Sequence, residues 1–209
     1  MLGVKRLTRA EQSERNRALV LDAARSVFLA RGYHAATVEE IADEAGFSRG
    51  VVYSRFGTKA DLLLALLDRR IDELAEQNAA LAGGLSGDRG AVALMGQVSA
   101  RVHDDTGWGL LLIEFRVHAA RDPELSRRYA AAHRRTTAGL ATALAGVYER
   151  AGQDPPFPAG QLAELLAALG SGAQLERAAN PAALPAWLRA EALGRLLTAR
   201  NAAGPDDAT

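Results

Sequence analysis

The chain has 209 residues, 48% hydrophobic and 24% charged, with 25 basic and 25 acidic side chains balancing to zero. That length suits one domain or two small ones with a sizeable core. The absence of cysteine excludes disulfides and thiolate metal sites and fits a reducing cytoplasm. The longest purely apolar run, Leu62 to Leu67, is far too short to cross a membrane, and no apolar segment near the start reads as a secretion signal. Charge is uneven along the chain: residues 1–60 hold ten Lys or Arg against seven Asp or Glu, a surplus of three that the remainder offsets. A basic bias at one end agrees with a segment that meets phosphates, and small imbalances also arise by chance.

Residues 1–13 are polar, basic and aperiodic, which predicts a mobile arm, either disordered or reaching a minor groove as basic arms do. A first helix is expected from Glu14 to Arg31, with Val20, Ala24, Val27 and Phe28 as its buried stripe; Gly32 stops it and Tyr33 packs back. Thr37, with Glu40 three residues on, makes a capping box. Val38, Ile41, Ala42 and Ala45 then form one apolar stripe at i, i+3, i+4, i+7, and Gly46 supplies the left-handed terminus. Ser48 is placed to cap a very short next helix that carries Arg49, Gly50, Val52, Tyr53 and Arg55. The pair reads as a helix-turn-helix. A basic residue and a glycine near the second helix's N-terminus suit a major groove, because glycine lets the backbone come close.

Thr58 with Asp61 repeats the capping box and opens a long helix over 59–82. A helix over 88–103 follows, then a segment over 108–120 that is apolar on nearly every side and therefore central to its domain. Asp122 caps the next helix, Pro123 sits at its first position, and it runs to Ala151. The loop from Gly152 to Pro158 precedes two last helices, over 159–178 and 185–200, and a small polar tail expected to fray. With no repeat and no strand-period segment, the chain reads as all-α with about nine helices. The expected division is an arm (1–13), a helix-turn-helix domain (14–58) linked by the helix 59–82, a second domain (59–201) and a tail (202–209).

Thr37, Ile41, Ala42, Ala45, Gly46, Ser48, Gly50, Tyr53, Phe56, Lys59 and Leu62 stand at the spacing of a known pattern. From about Arg17 to Leu67, about a quarter of the chain, this sequence resembles the DNA-binding domain of the TetR family of bacterial transcriptional regulators. The rest resembles that family only in helical layout. Ser54 and Arg55 depart from it, where many members have an aromatic and a histidine, so no relative's base preference transfers.

The resemblance implies a set of DNA contacts. Thr37 would bond a phosphate through its hydroxyl or the helix amides, beside its role as a cap. Ser48 joins the set. Arg49 would reach guanine O6 and N7 by a bidentate contact, or a phosphate instead. Gly50 would permit close approach, Val52 would meet a thymine methyl, Tyr53 and Arg55 would bond phosphates, and Lys59 would be a phosphate clamp. Val51 and Phe56 are expected in the core.

One short helix-turn-helix makes few contacts, and specific binding normally pairs two about 34 Å apart. A homodimer on near-palindromic double-stranded DNA is therefore expected, as the family also implies. Two stripes are candidates for the dimer interface: Leu162, Leu165, Leu166, Leu169 and Ala173, then Leu188, Ala192, Leu193, Leu196 and Leu197. Together they make either a four-helix bundle between subunits or an intramolecular core. Family members usually hold a small effector in the second domain. Trp108, Glu114, Phe115, His118, Tyr129, His133 and Tyr148 lie on helices placed to surround one. Glu114 shares a face with His118 and needs a partner, either a cationic or hydrogen-bonding effector or His118 or Arg121. The aromatics are core or ligand box, and an apolar or aromatic effector is expected. No cofactor or metal is expected. His103, Asp104 and Asp105 stand without the motifs of zinc hydrolases, nucleophile elbows or phosphate loops, so an enzyme is disfavoured. The expected function is a cytoplasmic repressor released by its effector, with an effector-independent DNA-binding dimer or an activator as alternatives.

Overall fold

The computed structural model describes residues 8–199. Among these, nine helices and no strand form: α1 (Arg9–Ala35), α2 (Val38–Ala45), α3 (Arg49–Phe56), α4 (Lys59–Ala82), α5 (Gly87–Asp104), α6 (Thr106–Ala119), α7 (Pro123–Glu149), α8 (Ala159–Ala179) and α9 (Ala186–Thr198). The all-α expectation holds. No helix among the described residues is long and apolar enough to cross a membrane.

Helix α1 begins five residues before the expected start at Glu14. Thr8 and Glu11 close a capping box, each side chain bonding the other's backbone amide, so the polar residues after Thr8 start a helix rather than an arm. The rest of the expected arm, residues 1–7, and the expected tail lie outside the described residues. At its other end α1 does not stop at Gly32 but breaks there: Gly32 adopts φ 75° and ψ 172°, and helical turns resume to Ala35.

The chain divides into two compact units. The first comprises the chain up to Arg70 together with Glu114–Tyr129, and the second Ile71–Ile113 with the chain from Ala130 onward. Helices α4, α6 and α7 each give residues to both. The first unit buries Val20, Ala24, Phe28, Tyr33, Ile41, Val52, Leu62, Leu63 and Phe115. The second buries Leu94, Leu140, Leu144, Val147, Tyr148, Leu162, Leu166 and Leu197 in one cluster. There the Tyr148 hydroxyl donates to the Leu197 carbonyl at 2.7 Å, fastening the end of α9 to α7. Burial, with the Asp88 carboxylate nearby, pushes that phenol up to about 12.

Candidate nucleic-acid interface

Helices α2 and α3 meet through a turn that the sequence dictates. Gly46 takes the left-handed conformation (φ 73°, ψ 28°), and its amide donates back to Ala42 and Asp43. Thr37 caps α2: its Oγ accepts from the Glu40 amide at 3.2 Å, and Glu40 Oε2 accepts from the Thr37 amide at 3.1 Å. The hydroxyl accepts there, which leaves its proton to donate outward. Ser48 stands at the N-cap position of α3 without a side-chain capping bond, and it is exposed.

Helix α3 is anchored by Val52 and Phe56, one turn apart on its inner face. This sets its outer face as Arg49, Gly50, Val51, Tyr53, Ser54 and Arg55, all exposed. The expected burial of two valines is therefore reversed. Val52 is 1% exposed and faces the core, whereas Val51 is 40% exposed. A buried side chain cannot touch a thymine methyl, so the apolar group this helix offers outward is Val51. The i, i+4 spacing of Val52 with Phe56 already carried that signal.

Gly50 has ordinary helical backbone and open space around it. A Cβ there would meet only Ser48 Oγ, at 4.0 Å. The fold does not require a glycine at this position, and glycine inside a helix costs about 1 kcal/mol against alanine. Arg49 lies over the Tyr53 ring, 5.1 Å from its centroid, and pairs with Glu39 of α2 at 2.7 Å, with both charged groups well exposed. A pair so exposed is worth little and yields readily to a competing anion. Arg55 donates to the Ser13 carbonyl at 2.7 Å and to Ser13 Oγ at 3.2 Å, tying α3 to α1. Arg17, one turn further along α1, lies 5.2 Å over Phe56. Nothing in the sequence places Ser13 or Arg17 beside α3, because the approach is long-range.

The Lys59 ammonium, expected at a phosphate, is bonded within the protein. It donates to the carbonyls of Tyr33, His34 and Ala36, at 2.7, 3.1 and 3.0 Å, and lies 4.7 Å over the Tyr33 ring. An ammonium has three protons, and all are engaged with the end of α1. Burial holds its pKa below the usual lysine range. At the head of α4, Asp61 closes the expected box with Thr58 and accepts from Arg128 of α7 at 2.5 Å. Burial pushes the Asp61 carboxyl up, but the bonds from Thr58 and the Arg128 charge outweigh it and hold the group below the usual carboxylate range.

The expected effector set is divided. Glu114, Phe115, His118 and Tyr129 belong to the first unit, and Trp108, His133 and Tyr148 to the second. Glu114 Oε2 accepts from the Tyr33 amide at 2.8 Å, so its partner is backbone and neither His118 nor Arg121. Phe115 and His118 each lie 5.0 Å from the Tyr33 ring, and Tyr129 is 5.8 Å from Phe115 and receives a bond from Arg116. These four side chains are engaged by the protein itself, as is Tyr148. Half-buried His133 is engaged within the protein as well, and Trp108 is buried.

The two expected interface stripes are divided too. Leu162, Leu166 and Leu197 lie in the second unit's own core, and Leu193 and Leu196 pack against it. Leu165 and Leu169 are 40% and 51% exposed, Leu188 and Ala192 are exposed, and Ala173 is half-buried. Trp187, which the stripes omitted, is 70% exposed. One apolar run at helical spacing thus serves a core and a free face at once.

Residues 20–66 match the family model described as "Bacterial regulatory proteins, tetR family", and residues 90–200 match "BetI-type transcriptional repressor, C-terminal". The chain is 49% identical over 72 residues to the HTH-type transcriptional activator FasR of Mycolicibacterium smegmatis, a match spanning 34% of this chain and 32% of that protein's length. Its fold is similar to that of the transcriptional regulator FadR from Bacillus subtilis in complex with stearoyl-CoA, at TM-score 0.69 and 16% identity over 87% of this chain and 97% of that one. It is also similar to a regulator from Saccharomonospora viridis in complex with choline, at TM-score 0.66 and 19% identity over 86% and 94% of the two chains.

Proposed function

The chain belongs to the TetR family of bacterial transcriptional regulators, with that family's helix-turn-helix in α2 and α3, and from this premise we propose that it is a homodimeric repressor that a small molecule releases from a near-palindromic operator. The outer face of α3 carries the reading. Arg49, Gly50, Val51, Tyr53 and Arg55 point away from the core, and the glycine among them has no structural need. Arg49 reads a base edge once DNA displaces Glu39, Val51 meets a methyl, and Tyr53, Ser48, Thr37 and Arg55 bond phosphates. The apolar side chains left exposed on α8 and α9, Leu165, Leu169, Trp187 and Leu188, support a subunit contact that spaces two such faces.

Stearoyl-CoA and choline in the similar folds differ in class, so the fold alone selects no effector. The buried Trp108 indole supports an apolar one. Release follows if the effector favours a state in which α4, which runs from the first unit into the second, holds the helix-turn-helix pairs out of register with the groove. Such coupling is reciprocal: the effector weakens DNA binding by the factor by which DNA weakens effector binding, typically 1–3 kcal/mol. The experiment is titration of a small molecule that raises the melting temperature, with and without a duplex the protein selects from a random pool. Equal affinity in both refutes induction.

The likeness to a named activator favours a second reading, in which the same interface recruits transcription. A promoter reporter carrying the selected site separates the two by the sign of its response. In both readings the chain binds and does not catalyse, and it acts where bacterial DNA lies, in the cytoplasm. Turnover of a stabilising ligand would overturn the first of these points.

A further inference from the structure

We propose that Glu114 is a positioning residue for DNA recognition, acting through the broken turn of α1 on the helix-turn-helix that follows it. The inference rests on the DNA-binding reading above and adds a residue that touches no DNA.

The break at Gly32 turns the Tyr33 amide out of the helix's own hydrogen-bond ladder. A buried amide so turned needs an acceptor. Glu114 Oε2 supplies it at 2.8 Å, from α6, a helix 81 residues further along the chain. On the other side of the same residue, the Tyr33 carbonyl accepts from Lys59 of α4 at 2.7 Å. One residue is thus held at its N–H by a carboxylate and at its C=O by an ammonium, both charge-assisted. Its ring is 3% exposed, between Phe115 and His118 of α6 and the Lys59 ammonium.

Four residues later comes Thr37, the cap of α2. Between them the Ala36 carbonyl is held by the same lysine at 3.0 Å. The link that aims the helix-turn-helix is therefore tied to α6 by the Glu114 bond at its backbone and by Phe115 and His118 at the Tyr33 ring, and Glu114 is the contact that fixes the backbone itself. Gly32 is matched to this arrangement. A Cβ on it would lie 2.8 and 2.9 Å from the two Glu114 carboxylate oxygens, on a backbone at φ +75° that L-residues seldom adopt. Glycine is required here by the left-handed turn and by the carboxylate lying against it.

The test uses the full-length chain, a duplex selected by the wild-type protein from a random pool, and random-sequence DNA as reference. Glu114→Ala leaves the turned Tyr33 amide without its acceptor and loosens the link, which Lys59 alone then holds at its backbone and which must be ordered further on each binding event. Its affinity for the selected duplex is expected to fall about tenfold. Affinity for random DNA is expected to change by less than about twofold, because loose phosphate contacts do not need two aimed helices. Glu114→Gln keeps a carbonyl acceptor at the same reach and is expected to restore most of the specific affinity. Gly32→Ala, with Glu114 intact, is expected to match Glu114→Ala. Amide exchange at Tyr33, measured without DNA, is expected to be slow in wild type and fast in both alanine variants. If Glu114→Ala does not fold, Glu114→Asp, one methylene short, supplies the same comparison. Equal losses on selected and random DNA, or an unchanged affinity for the selected duplex in Glu114→Ala, overturn the inference. A wild-type chain that selects no duplex refutes the DNA-binding reading itself, an outcome distinct from failure of the latch alone.

Discussion

Replacing Lys59 by methionine separates a fold-holding lysine from a phosphate-neutralising one. Methionine keeps the apolar stem and removes the charge and all three donors to Tyr33, His34 and Ala36. Each bond from a charged donor is worth about 1.5–3 kcal/mol. Three bonds to one group do not add, and Lys59 is only half-buried, so water recovers part of the carbonyls' loss. A net cost of about 3 kcal/mol follows. For a chain of this size each kcal/mol lowers the melting temperature by about 2–4 °C, which gives a fall of about 6–12 °C. The assay pairs a thermal melt with DNA titrations over a range of salt. Because the ammonium is engaged in the protein, the slope of log affinity against log salt is expected to stay unchanged. The opposite result refutes the reasoning: an unshifted melt with a slope shallower by about 0.9, the value for one lost phosphate contact.

Gly50→Leu puts a bulky side chain on the outer face of α3, where its Cβ would meet only Ser48 Oγ, at 4.0 Å. Operator binding should vanish in a mobility-shift assay while circular dichroism and sedimentation stay as in wild type, and retained binding would show that α3 is not the inserted helix. Val51→Ala should alter the preferred sequence with no change in melting. Val52→Ala should instead cost about 1–3 kcal/mol of stability through an internal cavity, and the reverse pattern in selection and melting experiments would show α3 rotated. Leu165→Arg should convert a dimer to monomers in analytical ultracentrifugation, since an unpaired charge in a desolvated contact costs several kcal/mol; an intact dimer would locate the contact elsewhere. The Asp61 carboxyl is held below its unfolded value, so its contribution is full above the ordinary carboxylate range and is lost as pH falls through the folded value. Asp61→Asn should therefore melt lower than wild type at neutral pH and converge with it in acid, and a constant gap across pH would contradict this.

Sequence by itself determined what depends on neighbours along the chain. The capping boxes at Thr37 and Thr58, the left-handed Gly46 and the proline at the head of α7 are local devices, and the helices they bound form as read. The helix-turn-helix was legible because its spacing is local too. Even the reversed burial of Val51 and Val52 was available from helical phase. Tertiary structure decided what each charged or apolar group touches. Lys59 looks like a surface cation until the end of α1 comes within 3 Å of it. Glu114 looks like an effector ligand until the Gly32 break offers it an amide from 81 residues away. Leu162 and Leu165 stand in one stripe, yet one is core and the other exposed. Periodicity sets the direction in which a side chain leaves its helix, but the chain's long-range packing sets what waits there, and no local pattern encodes that.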